Sequence, residues 1–463
     1  MVKLEVESKV ETKRHGMDLF HGSLWDKILL FALPVAATAI LEQLFNASDV
    51  AVVGNFTGTG KTAAVAAVGA NSPIIGLIVN LFIGIALGAN VVIANAVGLG
   101  DREAVKKAVH TSIVMAFFGG IAVTVLGELI AAPLLALLQV PADVFPLALL
   151  YLRIYLLGMP VILLYNFEAA IFRSVGETKI PLAALAISGV INVMLNLFFV
   201  AVLHMTVNGV AIATVIANIV SSVLLYRKLR ASVLDIQVKP EWLKIDGDSL
   251  KKILRIGLPA GIQSALFAVS NIVIQSAINS LGMIVMAASS AAFNIEVITY
   301  YMLNAFSQAC TTFTGQNYGA DKLERCKKAF FFCIAEGAVI LLAAISLILF
   351  FGKPLLSIFN NDPEVITFGY IRLMMVMLSH SFSLLYEVTS GYLRGFGISL
   401  APAVLTMIGV CGVRIGWIQL VFPHSQTFQT IMTAYPVSLI TTALLIFAAL
   451  FYYHPARRFS QNL

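Results

Sequence analysis

Apolar residues in this chain come in blocks of about twenty or more, one after another from residue 28 to residue 453, separated by short clusters of charged and turn-forming residues. A helix needs about 20 predominantly apolar residues to cross the hydrocarbon of a bilayer. Charged residues make up 12% of the 463 positions and apolar residues 59%, about half the charge of a soluble globular protein, where the share is roughly 25%. A soluble enzyme is therefore a poor fit, and the pattern predicts an all-α polytopic membrane protein. Spans are expected near 28–54, 63–96, 109–139, 144–171, 180–203, 207–227, 256–280, 284–315, 329–352, 364–391, 400–422 and 428–453. The second and eighth are longer than a bilayer requires, so those helices should tilt, bend or project into water.

Twelve spans put both termini on one side. With the N-terminus inside, 25 of the 30 Lys and Arg residues fall in inside segments, leaving Lys61, Arg153, Lys353, Arg372 and Arg414 for the outside or the membrane. Basic residues collect in cytoplasmic loops, which predicts a multi-pass plasma (inner) membrane protein with cytoplasmic termini. The same rule accounts for the formal charge of +6 without a nucleic-acid partner. Residues 1–27 have neither an apolar core nor a small-residue cleavage site, so they do not read as a secretory signal. Ser23 and Asp26 mark the expected start of the first helix. Cys310, Cys326, Cys333 and Cys411 form no CxxC pair and sit at no zinc-ligand spacing from a histidine, which reads as reduced, structural cysteines.

The longest polar stretch, 228–255, divides the spans six and six. The expected organisation is a cytoplasmic segment 1–27, a first lobe 28–227, a linker 228–255, a second lobe 256–453 and a cytoplasmic tail 454–463. Landmarks recur in order: Leu33-Pro34 against Leu258-Pro259, Lys106-Lys107-Ala108 against Lys327-Lys328-Ala329, and Tyr165 with Arg173 against Tyr386 with Arg394. Six spans per repeat give both repeats the same orientation, related by a pseudo-twofold axis along the membrane normal. This is the pattern of a transporter that alternates access by rocking one bundle against the other.

Charged groups within a bilayer are costly and mark sites of function. On the first helix Glu42, Asn46 and Asp49 stand at i, i+4 and i+7, within about 60° of arc, with Gln43 beside them. Two carboxylates and an amide on one stripe of an apolar helix make a proton or cation acceptor. Asn192 and Asn196 lie one turn apart on span five, and Thr214 and Asn218 repeat that spacing on span six; such groups serve either a cation site or interhelical hydrogen bonds. In the second half the candidates are Gln275, Glu296, Tyr300, Glu336, Glu387 and Arg414. Arg414 stays charged and needs a partner, for which Glu296 or Glu387 is the expectation. Gly60-Lys61-Thr62 lacks the first glycine of a P-loop, and Gly84-x-x-x-Gly88 and Gly391-x-x-x-Gly395 read as close helix contacts. No catalytic or ATP-cassette motif is present, so an ion gradient is the expected energy source, with no cofactor and no resident metal beyond possible Na⁺ at Asp49.

Several segments, in order, resemble the multidrug and toxic compound extrusion (MATE) family. They are Leu33-Pro34, Gly98-Leu99-Gly100-Asp101, Phe172-Arg173-Ser174-Val175-Gly176-Glu177-Thr178-Lys179-Ile180-Pro181, Gly209-Val210-Ala211-Ile212-Ala213-Thr214, Gly315-Gln316-Asn317-Tyr318-Gly319-Ala320 and Leu393-Arg394-Gly395. The resemblance covers essentially the whole chain. It implies a V-shaped secondary transporter that exports organic cations, drugs or amphipathic metabolites in exchange for H⁺ or Na⁺, working among membrane lipids as a monomer. In the branch related to DNA-damage-inducible protein F, the matching site residues are Asp49, Asn192, Asn196 and Thr214, with Pro34 where span one bends. The family's second aspartate falls at Asn196, so one carboxylate is missing, and Glu42 is a candidate to supply it. The acidic residue used on span seven by the norfloxacin-efflux branch falls at Phe267. Two other readings are a lipid-linked oligosaccharide flippase of the same superfamily, for which Arg414 is too solitary a cation, and a non-transporting receptor or scaffold.

Overall fold

The computed structural model describes residues 17–57 and 60–455. Lys3, Lys9, Lys13, Arg14, Arg457 and Arg458, counted above as inside charges, lie outside the described residues. Among the described residues every regular element is helical, and the helices long and apolar enough to cross a membrane are Trp25–Phe56, Thr62–Leu99, Arg102–Leu137, Lys179–Val202, Val207–Arg230, Gly247–Asn279, Met283–Gly319, Leu323–Phe350, Pro363–Gly395, Leu400–His424 and Phe428–Tyr453. A twelfth span, fourth in order, is the pair Phe145–Leu157 and Met159–Ser174, bent by 51° at the break. These are spans one to twelve below.

The second and eighth spans have 38 and 37 residues, about 57 and 55 Å at 1.5 Å per residue, against a hydrocarbon core of about 30 Å. Both therefore tilt or run on into water. Spans one, three, seven and ten, of 32 to 36 residues, are also longer than expected from the apolar blocks. Span one starts at Trp25 rather than at Ile28, with the Ser23 hydroxyl bonded to Asp26. Span seven starts at Gly247, drawing the last basic residues of the polar stretch into helix.

The chain folds as two compact units. The first is built on Ala37–Leu254, the second on Leu19–Ala36 together with the described residues from Arg255 onward. Span one is thus divided between units just after Pro34, and the opening turns of span seven belong to the first unit.

In the first unit one apolar cluster joins Val52, Val53, Ala67 and Val68 to Leu135, Tyr151, Leu152, Leu156, Val207 and Val210. Span four breaks within this packing. Pro160 lacks an N–H and forbids a continuous ladder, Gly158 lies so close to span six that a Cβ there would meet Val215 at 2.6 Å, and the freed Leu156 carbonyl accepts from Thr124 Oγ1 at 2.6 Å. Residues 231–246 are tied down against span three: Lys239 N–H donates to His110 Nε2 (3.1 Å), Asp246 N–H donates to Thr111 Oγ1 (2.9 Å), and the Trp242 ring lies beneath Lys106 and Lys239 at 3.8 and 4.4 Å.

In the second unit spans eight and ten pack closely along small residues. A Cβ on Gly391 would stand 2.5 Å from the Ser307 carbonyl, and one on Gly395 2.6 Å from Thr314, so this glycine pair serves backbone approach as expected. The fifth span of each half carries a π turn, Phe198–Val202 in span five and Met407–Gly412 in span eleven. All four cysteines are free, buried and in this second unit.

Candidate ion site in the first unit

Asp49 is placed by a glycine. A Cβ on Gly189 would lie 1.8 Å from the Phe45 ring, so the bare backbone of span five lets Phe45 settle onto it. One turn further along span one Asp49 then meets the Asn192–Asn196 face. Asn196 Nδ2 donates to Asp49 Oδ1 at 2.6 Å and to Asn192 Oδ1 at 3.1 Å. Thr214 Oγ1 donates to Asp49 Oδ2 at 3.0 Å and lies 3.0 Å from the Val210 carbonyl. Asn192 Nδ2 approaches Thr214 Oγ1 at 3.4 Å. Asp49 is 5% exposed, Asn192 5% and Asn196 0%.

The structure thus brings together Asp49, Asn192, Asn196 and Thr214 from three spans. Every donor to the carboxylate is neutral, and the described residues give Asp49 no ion pair. Asn196 Oδ1, buried beside the carboxylate, has no hydrogen-bond partner, which is unusual for a buried acceptor. Asn218 lies one turn along span six and donates to the Thr214 carbonyl at 2.9 Å.

The other first-unit candidates lie apart from this knot. Glu42 is half-buried, two turns before Asp49, in electrostatic reach of Arg173 and Tyr165; Tyr155 feels both Asp49 and Glu42. Asn46 is exposed, Gln43 half-buried, and Pro34 stands inside span one just before the division between units.

The second unit departs from expectation at Arg414. Its partner is neither Glu296 nor Glu387. Glu296 is taken by Arg372, whose Nε donates to Oε2 at 3.0 Å and whose Nη2 donates to Oε1, while Arg372 Nη1 donates to Ser289 Oγ at 2.6 Å. Arg414 instead donates from Nε to Ser438 Oγ at 3.1 Å, reaches Asn271 Oδ1 at 3.5 Å and lies 4.4 Å from the Tyr435 ring centroid. The forked geometry explains the choice: a guanidinium aligned with a carboxylate makes two parallel bonds, and Arg372 is the arginine so aligned. Tyr300 is within electrostatic reach of Glu387, Arg394 and Arg414, so these four share one region. Arg394, counted with the inside loops from sequence, is buried in the last turn of span ten with Nη2 donating to Gln263 Oε1 at 3.0 Å. Gln275 is exposed and bonded to Asn279 at 2.7 Å. Glu336 is buried with neither carboxylate oxygen partnered.

One residue escaped the sequence reading. Glu168, on the second limb of span four, is 0% exposed. A lone acid within Leu163–Ile171 was the available signal. It is hidden in sequence because it lies near the end of the continuous apolar run 144–171.

The MatE family model matches residues 34–198 and 259–418, most of the chain. The probable multidrug resistance protein YoeA of Bacillus subtilis is 28% identical over 438 residues, covering 92% of this chain and 93% of that protein. The probable multidrug resistance protein NorM of Thermotoga maritima is 25% identical, covering 84% of each. A structure of the outward-facing conformation of a multidrug resistance MATE family transporter of the MOP superfamily aligns with a TM-score of 0.87 at 21% identity, over 96% of this chain and 99% of that one.

Proposed function

Because this chain belongs to the MatE family, a family of membrane transporters and not of enzymes, we propose that it is a plasma-membrane efflux antiporter that exports amphipathic organic cations against entry of H⁺ or Na⁺ at Asp49. The observation that carries this reading is the Asp49 knot: a buried carboxylate surrounded only by neutral donors, with the Asn196 carbonyl oxygen left without a partner beside it.

A proton would neutralise Asp49 outright. A sodium ion would draw on oxygen donors, and Asp49, the Asn192 and Asn196 amides and the Thr214 hydroxyl supply them on one side of the site; oxygen ligands are what such hard cations take. Either ion removes a negative charge that a cationic substrate would otherwise favour. A ligand shifts a conformational equilibrium only by its differential affinity for the two states, so ion and substrate need opposite preferences, and Asp49 is the group through which both can act. Pro34, where the helical ladder lacks a hydrogen bond, is the point at which span one can bend in response. The names of the relatives, multidrug resistance proteins, support the substrate class.

The test is efflux of a cationic dye from proteoliposomes with a Na⁺ or H⁺ gradient imposed separately. Asp49→Asn should abolish gradient-driven efflux while the protein still folds, since an amide fits the same cage. Gradient-driven efflux undiminished in that variant would refute the assignment. No flux of any cation in the wild type would refute the transporter class proposed.

A further inference from the structure

Among the buried acids that the mechanism above leaves unused, Glu168 is bonded to the span that carries Thr214 of the ion site. Glu168 is fully buried on span four; its Oε2 accepts from Ser222 Oγ at 3.0 Å, and its Oε1 has no partner. Isolated carboxylates do not survive such surroundings: the group is neutral unless a cation or several donors compensate it. Among the described residues Glu168 makes no ion pair with a basic side chain of spans two, three, five or six, and the titratable group that feels it is the Tyr165 phenol, one turn earlier on the same helix.

Its position relates it to the ion site in two ways. Along span six, Thr214, Asn218 and Ser222 recur at every fourth residue, so they form one polar stripe. Thr214 touches Asp49 at one end, Ser222 touches Glu168 at the other, and Asn218 bonds the Thr214 carbonyl between them. At 1.5 Å per residue this stripe is about 12 Å long, and it leads toward the Arg227, Lys228 and Arg230 end of the span. Separately, the Tyr165 hydroxyl, buried and without a partner, lies within electrostatic reach of both Glu42 and Glu168.

We propose that Glu168 is a second proton-binding carboxyl of the first unit, linked to Asp49 by the Thr214–Asn218–Ser222 face of span six. It supplies the exchangeable charge that Asn196 cannot. The step is a simple ionisation: the protonated carboxyl releases H⁺ to water arriving on the basic-residue side when span six moves, leaving a carboxylate held by Ser222, and it takes H⁺ back when reburied. The proposal rests on the antiport reading of Asp49 and adds a second site to it.

The experiment is infrared difference spectroscopy of the purified protein in nanodiscs, titrated across pH, following the carbonyl stretch of protonated carboxyls. Wild type should lose distinct bands as pH rises; Glu168→Gln, neutral and of the same shape as the protonated acid, should delete one of them and leave the Asp49 band. Asp49→Asn should delete the other, and Ser222→Ala should displace the Glu168 band. In proteoliposomes driven by H⁺, the protons moved per dye molecule should fall about twofold in Glu168→Gln. An unchanged set of titrating bands in Glu168→Gln, or an unchanged proton-to-dye ratio, overturns the proposal. Persistence of efflux in Asp49→Asn with the Glu168 band still titrating overturns the Asp49 reading alone.

Discussion

Arg372 and Glu296 offer a direct measure of what a buried ion pair contributes to this membrane protein. They are 4% and 5% exposed, and the pair is bidentate, with Ser289 occupying the third donor position. Replacing Arg372 by Met leaves Glu296 buried and unpaired, which costs about 3–5 kcal/mol in comparable pairs. For a unit of roughly 200 residues each kcal/mol corresponds to about 2–4 °C, so the second unit should melt about 6–20 °C lower. Glu296→Gln combined with Arg372→Met removes both charges and should recover most of that loss. A residue of about 1 kcal/mol should remain from the cation–π contacts that Arg372 makes with Phe293 and Tyr435, at 5.8 and 5.6 Å. The structure also supplies the assay: all four cysteines are buried in this unit, so a thiol-reactive fluorogenic dye reports its unfolding. A single variant as stable as wild type, or a double variant no better than the single, would refute the reasoning.

Gly189→Ala should displace the Phe45 ring, and with it Asp49, lowering gradient-driven dye efflux; Phe45→Ala in the same protein should restore it, and a Gly189→Ala variant with full activity would count against the placement of Asp49. Gly120→Ala would set a Cβ 2.4 Å from Pro160 Cα, a backbone clash that should destabilise by about 1–3 kcal/mol, read as a lower melting temperature. Asp246 accepts from Ser249 N–H and Oγ at 2.9 and 2.8 Å, which holds its carboxyl below the ordinary 3.8, with Lys107 adding to the effect. A depressed folded-state pKa means the cap is fully effective above that ordinary value and is lost as pH falls through the lowered one. Amide exchange at Ser249 and Leu250, corrected for intrinsic rate, should therefore speed up below about pH 4, and the same acid dependence in Asp246→Ala would exclude the cap as its cause.

What the sequence made legible was whatever lies along one helix. The stripe Glu42–Asn46–Asp49, the pair Asn192–Asn196 and the pair Thr214–Asn218 follow from the 3.6-residue turn, and resemblance to the family brought four of them together in advance. Selection among partners on different helices was not legible. Arg414 and Arg372 are both intramembrane arginines, and nothing in their spacing says which one reaches Glu296 with its fork aligned. The break in span four is signalled by Gly158 and Pro160 but hidden within a continuous apolar run, and Glu168 lies near the end of that run. Exposure along the first helix was also beyond periodicity, since Asn46 shares a face with Asp49 and yet stays outside the knot.

The division of span one just after Pro34 bears on how this chain could ever be cut in two. The repeats meet in sequence near residue 255, where the first unit also ends, but the second unit reaches back across the first repeat to take Leu19–Ala36. Phe31, fully buried and set 5.9 Å from Phe313, travels with the N-terminal half of the gene while its packing belongs to the other. Of two separately expressed halves, the first would carry a fragment foreign to its own core, and the second would lack the one that completes it. The second half should therefore complete its core only where the first is present to supply Leu19–Ala36.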